Sequence, residues 1–171
     1  VLAGASVLTG LLAYVFFALS TRALGAEVAA PVSVLWTYWS FASAAFTFPL
    51  QQWVVRSVAA HRGEGAVHAA LPRVSAVVVG VALVSGLGAW LLRDALFRSD
   101  SAWFPLLVGL VTLGSGFIGV VRGGLAARRR FVALAMALIA ENGVRVAAAI
   151  VLLIEDVDSP IAFGLVLAAG A

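Results

Sequence analysis

The stretch from residue 102 to residue 130 reads AWFPLLVGLVTLGSGFIGVV followed by RGGLAARRR. Its first 20 residues carry no charge, whereas the next nine include Arg122, Arg128, Arg129 and Arg130. About 20 apolar residues in a helix, rising 1.5 Å each, cross the ~30 Å hydrocarbon core of a bilayer. Arginines that flank such a segment favour the cytoplasmic side. The stretch therefore predicts a membrane-spanning helix that ends in the cytoplasm.

Other parts of the chain repeat this pattern. Spanning helices are predicted at about residues 1–20, 31–55, 74–92, 102–121 and 131–154, and residues 160–171 are too few to span but begin with a proline, as helices often do. The fold class predicted is an all-α, polytopic transmembrane bundle that forms one unit over residues 1–171. Because residue 1 already lies in an apolar run, we expect a fragment with five complete helices and the start of a sixth.

The loops between these helices differ in arginine content. The second and fourth loops hold seven arginines, and the other three loops hold three, at Arg22, Arg93 and Arg98. This asymmetry predicts that the second and fourth loops are cytoplasmic and that the first helix enters from the cytoplasmic side. The localisation predicted is the inner, cytoplasmic membrane of the cell, with a cytoplasmic N-terminus.

Composition supports a membrane protein independently. Hydrophobic residues make up 63% of the 171 residues and charged residues 11%, against about 25% charged in soluble domains. The net charge of +3 comes from arginines placed to orient helices and contact lipid headgroups, so no nucleic-acid partner is expected. The sequence contains no cysteine, which excludes disulfides and thiolate chemistry within it.

Two helices carry stripes of small or polar residues. The stripe of the second predicted helix has spacings of three and four and consists of Ser33, Thr37, Ser40, Ala44, Thr47 and Gln51. The stripe of the fourth ends in a G-x-x-x-G pair and consists of Gly109, Thr112, Gly116, Gly119 and Gly123. Small residues let helices approach closely in lipid, so both stripes are typical of helix packing. The hydroxyl stripe is also compatible with the lining of a water-accessible cavity. Pro49 interrupts backbone hydrogen bonding in the second helix.

Charged residues occur close to the middle of the fifth predicted helix. Glu141 and Arg145 lie four residues apart on one face, with Asn142 and Gly143 between them. A charge at mid-bilayer costs at least ~2.5–3.5 kcal/mol, so such residues face the bundle interior or an aqueous pocket. The guanidinium suits a phosphate oxygen, and the carboxylate suits a sugar hydroxyl, a proton or a sodium ion. A self-neutralising pair that holds helices together is the alternative.

Other chemical motifs are weak. His61 and His68 lack a carboxylate at ligand spacing, so no metal site is predicted. The sequence shows no catalytic triad, no H-E-x-x-H motif and no aspartate-rich diphosphate motif. We therefore expect neither an enzyme nor a protein that needs a cofactor.

Several short motifs, taken in order, resemble the N-terminal half of a bacterial polysaccharide flippase, one of the oligosaccharide-lipid exporters related to multidrug and toxin extrusion transporters. They are Ser20 to Gly25, Phe48 to Gln52 with Arg56, Arg122 to Leu125 followed by Arg130 and Phe131, and Glu141 to Arg145. The resemblance implies one lobe of a two-lobe transporter with 12 to 14 helices and a central cavity.

The function that this resemblance implies is transport of a polyprenyl-diphosphate-linked oligosaccharide to the outer leaflet for polysaccharide or lipopolysaccharide biosynthesis. Arg145 would contact the diphosphate or sugar, Glu141 a coupling ion or sugar hydroxyls, and Asn142 would support both. Arg22 and Gln51 would line the outer and inner mouths. The partners implied are the lipid-linked oligosaccharide, membrane lipids, and a proton or sodium ion.

Three other functions remain open, of which the simplest is a scaffold subunit with no transport activity of its own. A multidrug or cation antiporter of the related extrusion family would favour an acidic, aromatic cavity over a Glu141–Arg145 pair. A membrane-embedded polyprenyl-phosphate enzyme would need acids or histidines clustered at the cytoplasmic interface, whereas the acids here lie mainly in the other loops.

Overall fold

The computed structural model describes residues 2–61, 63–98 and 101–170, and these residues fold into helices without any strand. The elements, in chain order, are α1 Leu2–Val28, α2 Ala30–Ala42, a π-helical turn Ser43–Thr47, α3 Phe48–His61, α4 Gly65–Leu91, α5 Arg93–Phe97, α6 Trp103–Ala127, α7 Phe131–Ile154 and α8 Pro160–Ala169. The all-α prediction is confirmed.

Four helices are long and apolar enough to cross a membrane: α1, α4, α6 and α7. Many large apolar side chains on them are exposed, among them Leu11, Leu83 and Ile154. Such surfaces are unfavourable in water and normal in lipid. The chain is therefore indicated to be a membrane-embedded helical protein. The second predicted span is divided by the π turn into α2 and α3, of 13 and 14 residues, and stays a prediction as a span.

The π turn has a local cause in the sequence. Pro49 has no N–H, and its ring clashes with the carbonyl four residues earlier, that of Ala45. Ala45 lies inside the π turn, where the Phe48 N–H bonds to the Ser43 carbonyl five residues back. A π turn carries one more residue than an α turn, and this relieves the clash. Residues 30–61 thus stay helical through the proline.

Four of the predicted helices extend beyond their bounds, and α3 continues to His61, past the predicted end at residue 55. α1 continues to Val28 with a kink at Gly25 (φ 75°), α4 begins at Gly65, and α6 continues to Ala127. Arg73 and Arg122, placed in loops by the sequence analysis, are therefore helical. The apolar run marks only the part of a helix that suits lipid, whereas alanine-rich ends such as 66–71 form helix in water as well.

The central element is α6. Half of the residues in the most apolar part of α6 are buried, against 11–17% of the residues in the corresponding parts of α1, α4 and α7. It packs against α2, the π turn, α3, α4 and α8, while α1 packs mainly against α7. Phe104, Leu107 and Val111 of α6 lie in the core together with Leu35 of α2 and Phe163 of α8.

The glycine stripe of α6 is a packing surface, as predicted. A Cβ on Gly119 would lie 2.7 Å from the Thr47 carbonyl oxygen, and one on Gly123 would lie 2.6 Å from Val54 Cβ. Gly109 faces α4, where a Cβ would lie 3.3 Å from the Ala82 carbonyl oxygen. The stripe therefore contacts α3 and the π turn at one end and α4 at the other.

The hydroxyl stripe of the second predicted helix has two different environments. Ser33, Thr37 and Ser40 each donate to a carbonyl four residues back in the helix, at 3.0–3.2 Å. Thr47 is buried and donates to the Ser115 carbonyl of α6 at 2.8 Å. The π turn separates these positions, so only the Thr47 end of the stripe packs against α6. Ser33 and Thr37 line a shallow surface groove.

One ion pair joins two predicted cytoplasmic loops. Both carboxylate oxygens of Glu64, before α4, accept hydrogen bonds from Arg128, after α6, at 2.6 Å. This bond from Arg128 holds the pKa of Glu64 below its usual value. The second and fourth loops therefore lie at the same end of the bundle, which we call the Glu64 end.

Candidate functional site

The polar residues of α7 turn inward. Arg145 and Asn142 are 1% and 2% exposed, and the Glu141 side chain is 9% exposed. The opposite face of the helix is apolar and open to the surroundings, with Val144 65% exposed. α7 places its charges towards the bundle because the alternative is contact with hydrocarbon.

Short contacts connect these three side chains. Arg145 Nη2 lies 3.2 Å from Glu141 Oε1, and Arg145 Nη1 donates to Asn142 Oδ1 at 3.2 Å. The Asn142 amide donates in turn to the Leu138 carbonyl at 3.2 Å, one turn earlier in α7. Asn142 therefore orients the guanidinium, while Glu141 neutralises it.

A second arginine reaches the same carboxylate from α6. Arg122 Nη2 donates to Glu141 Oε2 in an ion pair whose side chains are 12% and 9% exposed. The sequence analysis treated Arg122 as a loop residue that orients the helices, so its role as a partner of Glu141 was missed. The available signal was its position directly after an uncharged run, close enough to continue the helix.

An aromatic ring covers the other side of Arg145. The Arg145 Cζ atom lies 4.5 Å from the centroid of a Trp39 ring in α2, a cation–π geometry. Gly170, at the end of α8, lies against the same guanidinium so closely that a Cβ there would overlap Arg145. Trp39 and Gly170 were not among the predicted site residues. Arg145 Nε and Nη2 make no hydrogen bond within the described part of the chain, although Nη2 lies in ion-pair range of Glu141.

We call Arg122, Glu141, Asn142 and Arg145 the charge cluster. Two guanidinium groups share one carboxylate, so the cluster carries one net positive charge between apolar helices. Such a charge attracts anions, and guanidinium groups bind phosphate or carboxylate oxygens in a bidentate manner. The cluster is therefore chemically suited to an anionic group rather than to a cation.

Access to the cluster is uneven. Arg145 is sealed by Trp39, Gly170 and its own helix, whereas Arg122 and Glu141 keep some exposure. The five grooves described on the molecule are lined by other residues. In this conformation an anion could approach Arg122, whereas contact with Arg145 requires α2 or the end of α8 to move.

The other two predicted site residues lie apart from the cluster. Arg22 is exposed near the end of α1 and makes no ion pair with any described residue. Gln51 is partly buried in α3, and its backbone faces Gly123 of α6, the residue after Arg122. Their assignment to the mouths of a cavity stays a prediction. Among the described residues, no group of three histidine or acidic side chains could hold a metal ion.

Comparison with known proteins adds no assignment. The chain matches no protein-family model, no curated protein and no solved structure. The charge cluster and the fold that positions it are therefore the basis for a functional proposal.

Proposed function

We propose that the chain forms a lobe of a membrane transporter that moves a polyprenyl-diphosphate-linked oligosaccharide across the cytoplasmic membrane. The observation that carries this proposal is the net positive charge cluster of Arg122, Glu141 and Arg145 between spanning helices. A charge inside a membrane is costly and by default indicates a functional site. The chemistry of this cluster favours an anionic headgroup.

Each member of the cluster has a proposed role. Arg122, the more exposed guanidinium, meets the diphosphate first, because two N–H groups of one arginine can bind two phosphate oxygens. Glu141 holds both arginines in place and exchanges Arg122 for a sugar hydroxyl or a coupling proton. Asn142 orients Arg145, which receives the headgroup once its cover moves away.

The proposed mechanism is alternating access. Residues 30–61 span the membrane in addition to the four long helices, and α8 contributes to a further span. The bundle of these helices rocks against a second, similar bundle about a site at mid-membrane. The seal over Arg145, formed by Trp39 of α2 and Gly170 after α8, opens in the conformation that binds the headgroup. The Glu64 end faces the cytoplasm in this proposal, as the arginine asymmetry predicts.

The charge cluster also separates the proposal from the alternatives. A multidrug or cation antiporter of the related extrusion family needs net negative charge at its site, and two arginines around one glutamate disfavour a cation there. An enzyme acting on polyprenyl phosphates needs several acids or histidines together. We therefore propose transport of an anion without catalysis.

A flipping assay on the intact protein tests the proposal. The protein is reconstituted in liposomes with a fluorescent polyprenyl-diphosphate oligosaccharide, and dithionite bleaches the probe molecules that reach the outer leaflet. Losing a charged hydrogen bond costs about 1.5–3 kcal/mol, so Arg122→Gln should slow flipping roughly 10-fold or more. Arg128→Gln, which removes an exposed arginine from an ion pair, should leave the rate unchanged.

Binding of the diphosphate lipid by the same variants, measured next to flipping, separates loss of function from loss of folding. Glu141→Gln removes the negative charge from the cluster, so it should slow flipping but bind the diphosphate lipid at least as tightly as the unchanged protein. Arg122→Gln should weaken that binding. Normal flipping by both variants, or export of a fluorescent organic cation in place of the lipid, would contradict the proposal.

A further inference from the structure

An apolar groove of about 470 Å³ lies between α4 and α6, away from the charge cluster. Its floor consists of small residues, since Gly86 of α4 meets Gly109 and the Pro105 carbonyl of α6 there. Its rim consists of leucines that are strongly exposed, Leu83 at 69% and Leu87 at 59%. The groove is open on the side that faces away from the bundle.

The dimensions of the groove match one leaflet of a bilayer. It extends along α4 from residue 79 to residue 90, which is ~16 Å at 1.5 Å per residue. The hydrocarbon core of a bilayer is ~30 Å thick, so the groove covers about half of it. One end of it lies at Trp90 and Ala102, where α4 ends and α6 begins, and tryptophan favours the membrane–water boundary.

A cation, Arg93, lies next to Trp90 at this end of the groove. The Arg93 Cζ atom is 5.3 Å from the centroid of a Trp90 ring, and the Arg93 side chain is 31% exposed. Its nearest described anion is Asp94, whose Oδ1 lies 3.5 Å from Arg93 Nε and whose side chain is 75% exposed. This pair makes no hydrogen bond, and Arg93 Nε is buried without a hydrogen-bond partner among the described residues, so the Nη donors remain available to another anion.

We propose that this groove binds one phospholipid, with an acyl chain between α4 and α6 and its phosphate on Arg93. The apolar groove of one-leaflet length accounts for the chain, and the cation at its water-facing end accounts for the phosphate. The site does not depend on the proposed transport function, because none of the residues that line the groove belongs to the charge cluster.

Photocrosslinking of the intact protein in liposomes of phosphatidylethanolamine and phosphatidylglycerol tests the proposal. The probes are phosphatidylglycerol with a diazirine in its acyl chain and a diacylglycerol with the same chain but no phosphate. The first probe should label the rim leucines. A phosphate contact near the surface contributes about 1 kcal/mol, so Arg93→Gln should lower this labelling about fivefold and leave diacylglycerol labelling unchanged.

Two glycines of α4 provide a matched pair of filling variants. A Cβ at Gly86 would be in ordinary contact with the groove floor, at 3.4 Å from the Pro105 oxygen, so Gly86→Leu fills the groove and should abolish labelling by both probes. A Cβ at Gly80 would meet nothing within 4 Å, and Gly80→Leu adds the same side chain outside the groove. Gly80→Leu should leave labelling unchanged.

Three results would overturn the proposal. The first is uniform labelling around α4 and α6, and the second is crosslinking of the rim to another protein segment in place of lipid. The third is complete displacement of phosphatidylglycerol by an equal amount of polyprenyl phosphate, which would assign the groove to the tail of a transport substrate. Rim labelling that depends on Arg93 and Gly86, but not on Gly80, would establish the phospholipid site.

Discussion

At the scale of single residues, the charge cluster is held together by the ion pairs of Glu141 with two arginines, while Arg145 Nε and Nη2 have no hydrogen-bond partner among the described residues. Removing one partner from a buried ion pair leaves an uncompensated charge, which in soluble proteins costs about 3–5 kcal/mol. Here Glu141 serves two arginines, Asn142 fixes the geometry of one, and Trp39 covers it with an electron-rich face. Trp39 is therefore a positioning residue whose ring replaces the water that Arg145 has lost.

The role of Trp39 gives a residue-scale prediction. A desolvated cation–π contact is worth about 2 kcal/mol, so Trp39→Leu should lower the thermal unfolding midpoint of the purified protein by a few degrees. Trp103→Leu replaces a tryptophan that is 48% exposed and should leave the midpoint nearly unchanged. Equal midpoints for the two variants in detergent would show that the Trp39 ring contributes nothing to holding Arg145.

The sequence allowed one part of this cluster to be predicted. Glu141 and Arg145 are one helical turn apart, so their pairing follows from the helix alone. Arg122 is 19 residues from Glu141, and Trp39 reaches Arg145 from a different helix. Contacts of that kind depend on how helices pack, and periodicity within one helix carries no information about them.

At the scale of elements, α6 shows how a glycine face builds a bundle in lipid. Hydrocarbon surrounds the helices, so the hydrophobic effect contributes little to their association, and close backbone approach must provide the contacts. Gly119 allows the π turn to approach, and Gly123 allows α3 to do so. The bounds of α4 and α6 were harder to predict, because their ends at Gly65 and Ala127 lie in alanine-containing sequence next to charged residues, where helix is also favourable outside the lipid.

Two neighbouring glycines of α6 make the element-scale prediction. A Cβ at Gly119 would come 2.7 Å from the Thr47 carbonyl oxygen, so Gly119→Ala should destabilise the protein by about 1–3 kcal/mol through overpacking. A Cβ at Gly124 would meet nothing within 4 Å, and Gly124→Ala should be neutral or slightly stabilising because alanine favours helix. Thermal unfolding in detergent measures both, and an unchanged midpoint for Gly119→Ala would refute close packing there.

At the scale of the whole molecule, the distribution of arginine and the folded structure agree on which loops belong together. Seven arginines predicted that the second and fourth loops share a side, and the Glu64–Arg128 pair brings those loops into contact. This contact does not orient the bundle in a membrane. The positive-inside rule predicts that the Glu64 end is cytoplasmic.

Cysteine labelling checks this orientation. The sequence has no cysteine, so a single cysteine introduced at Gly65, Ala126 or Asp158 is the one thiol among these 171 residues, and its labelling can be measured separately. In intact cells an impermeant thiol reagent should label the Asp158 variant and spare the other two. Opposite labelling of Gly65 and Ala126 would contradict the shared end of the bundle, and labelling of both with Asp158 spared would invert the orientation.

The π turn at Ser43–Thr47 has a consequence for how this chain relates to others. A π turn holds one residue more than the α-helical turn that it replaces. A homologous helix without Pro49 should therefore align with this one only across a one-position gap between residues 42 and 48. Without that gap, the residues on one side of the π turn would be aligned with residues on a different face of the homologous helix. Tyr38, whose hydroxyl lies 2.5 Å from that of Thr112, would then be aligned with a residue that cannot make the same contact.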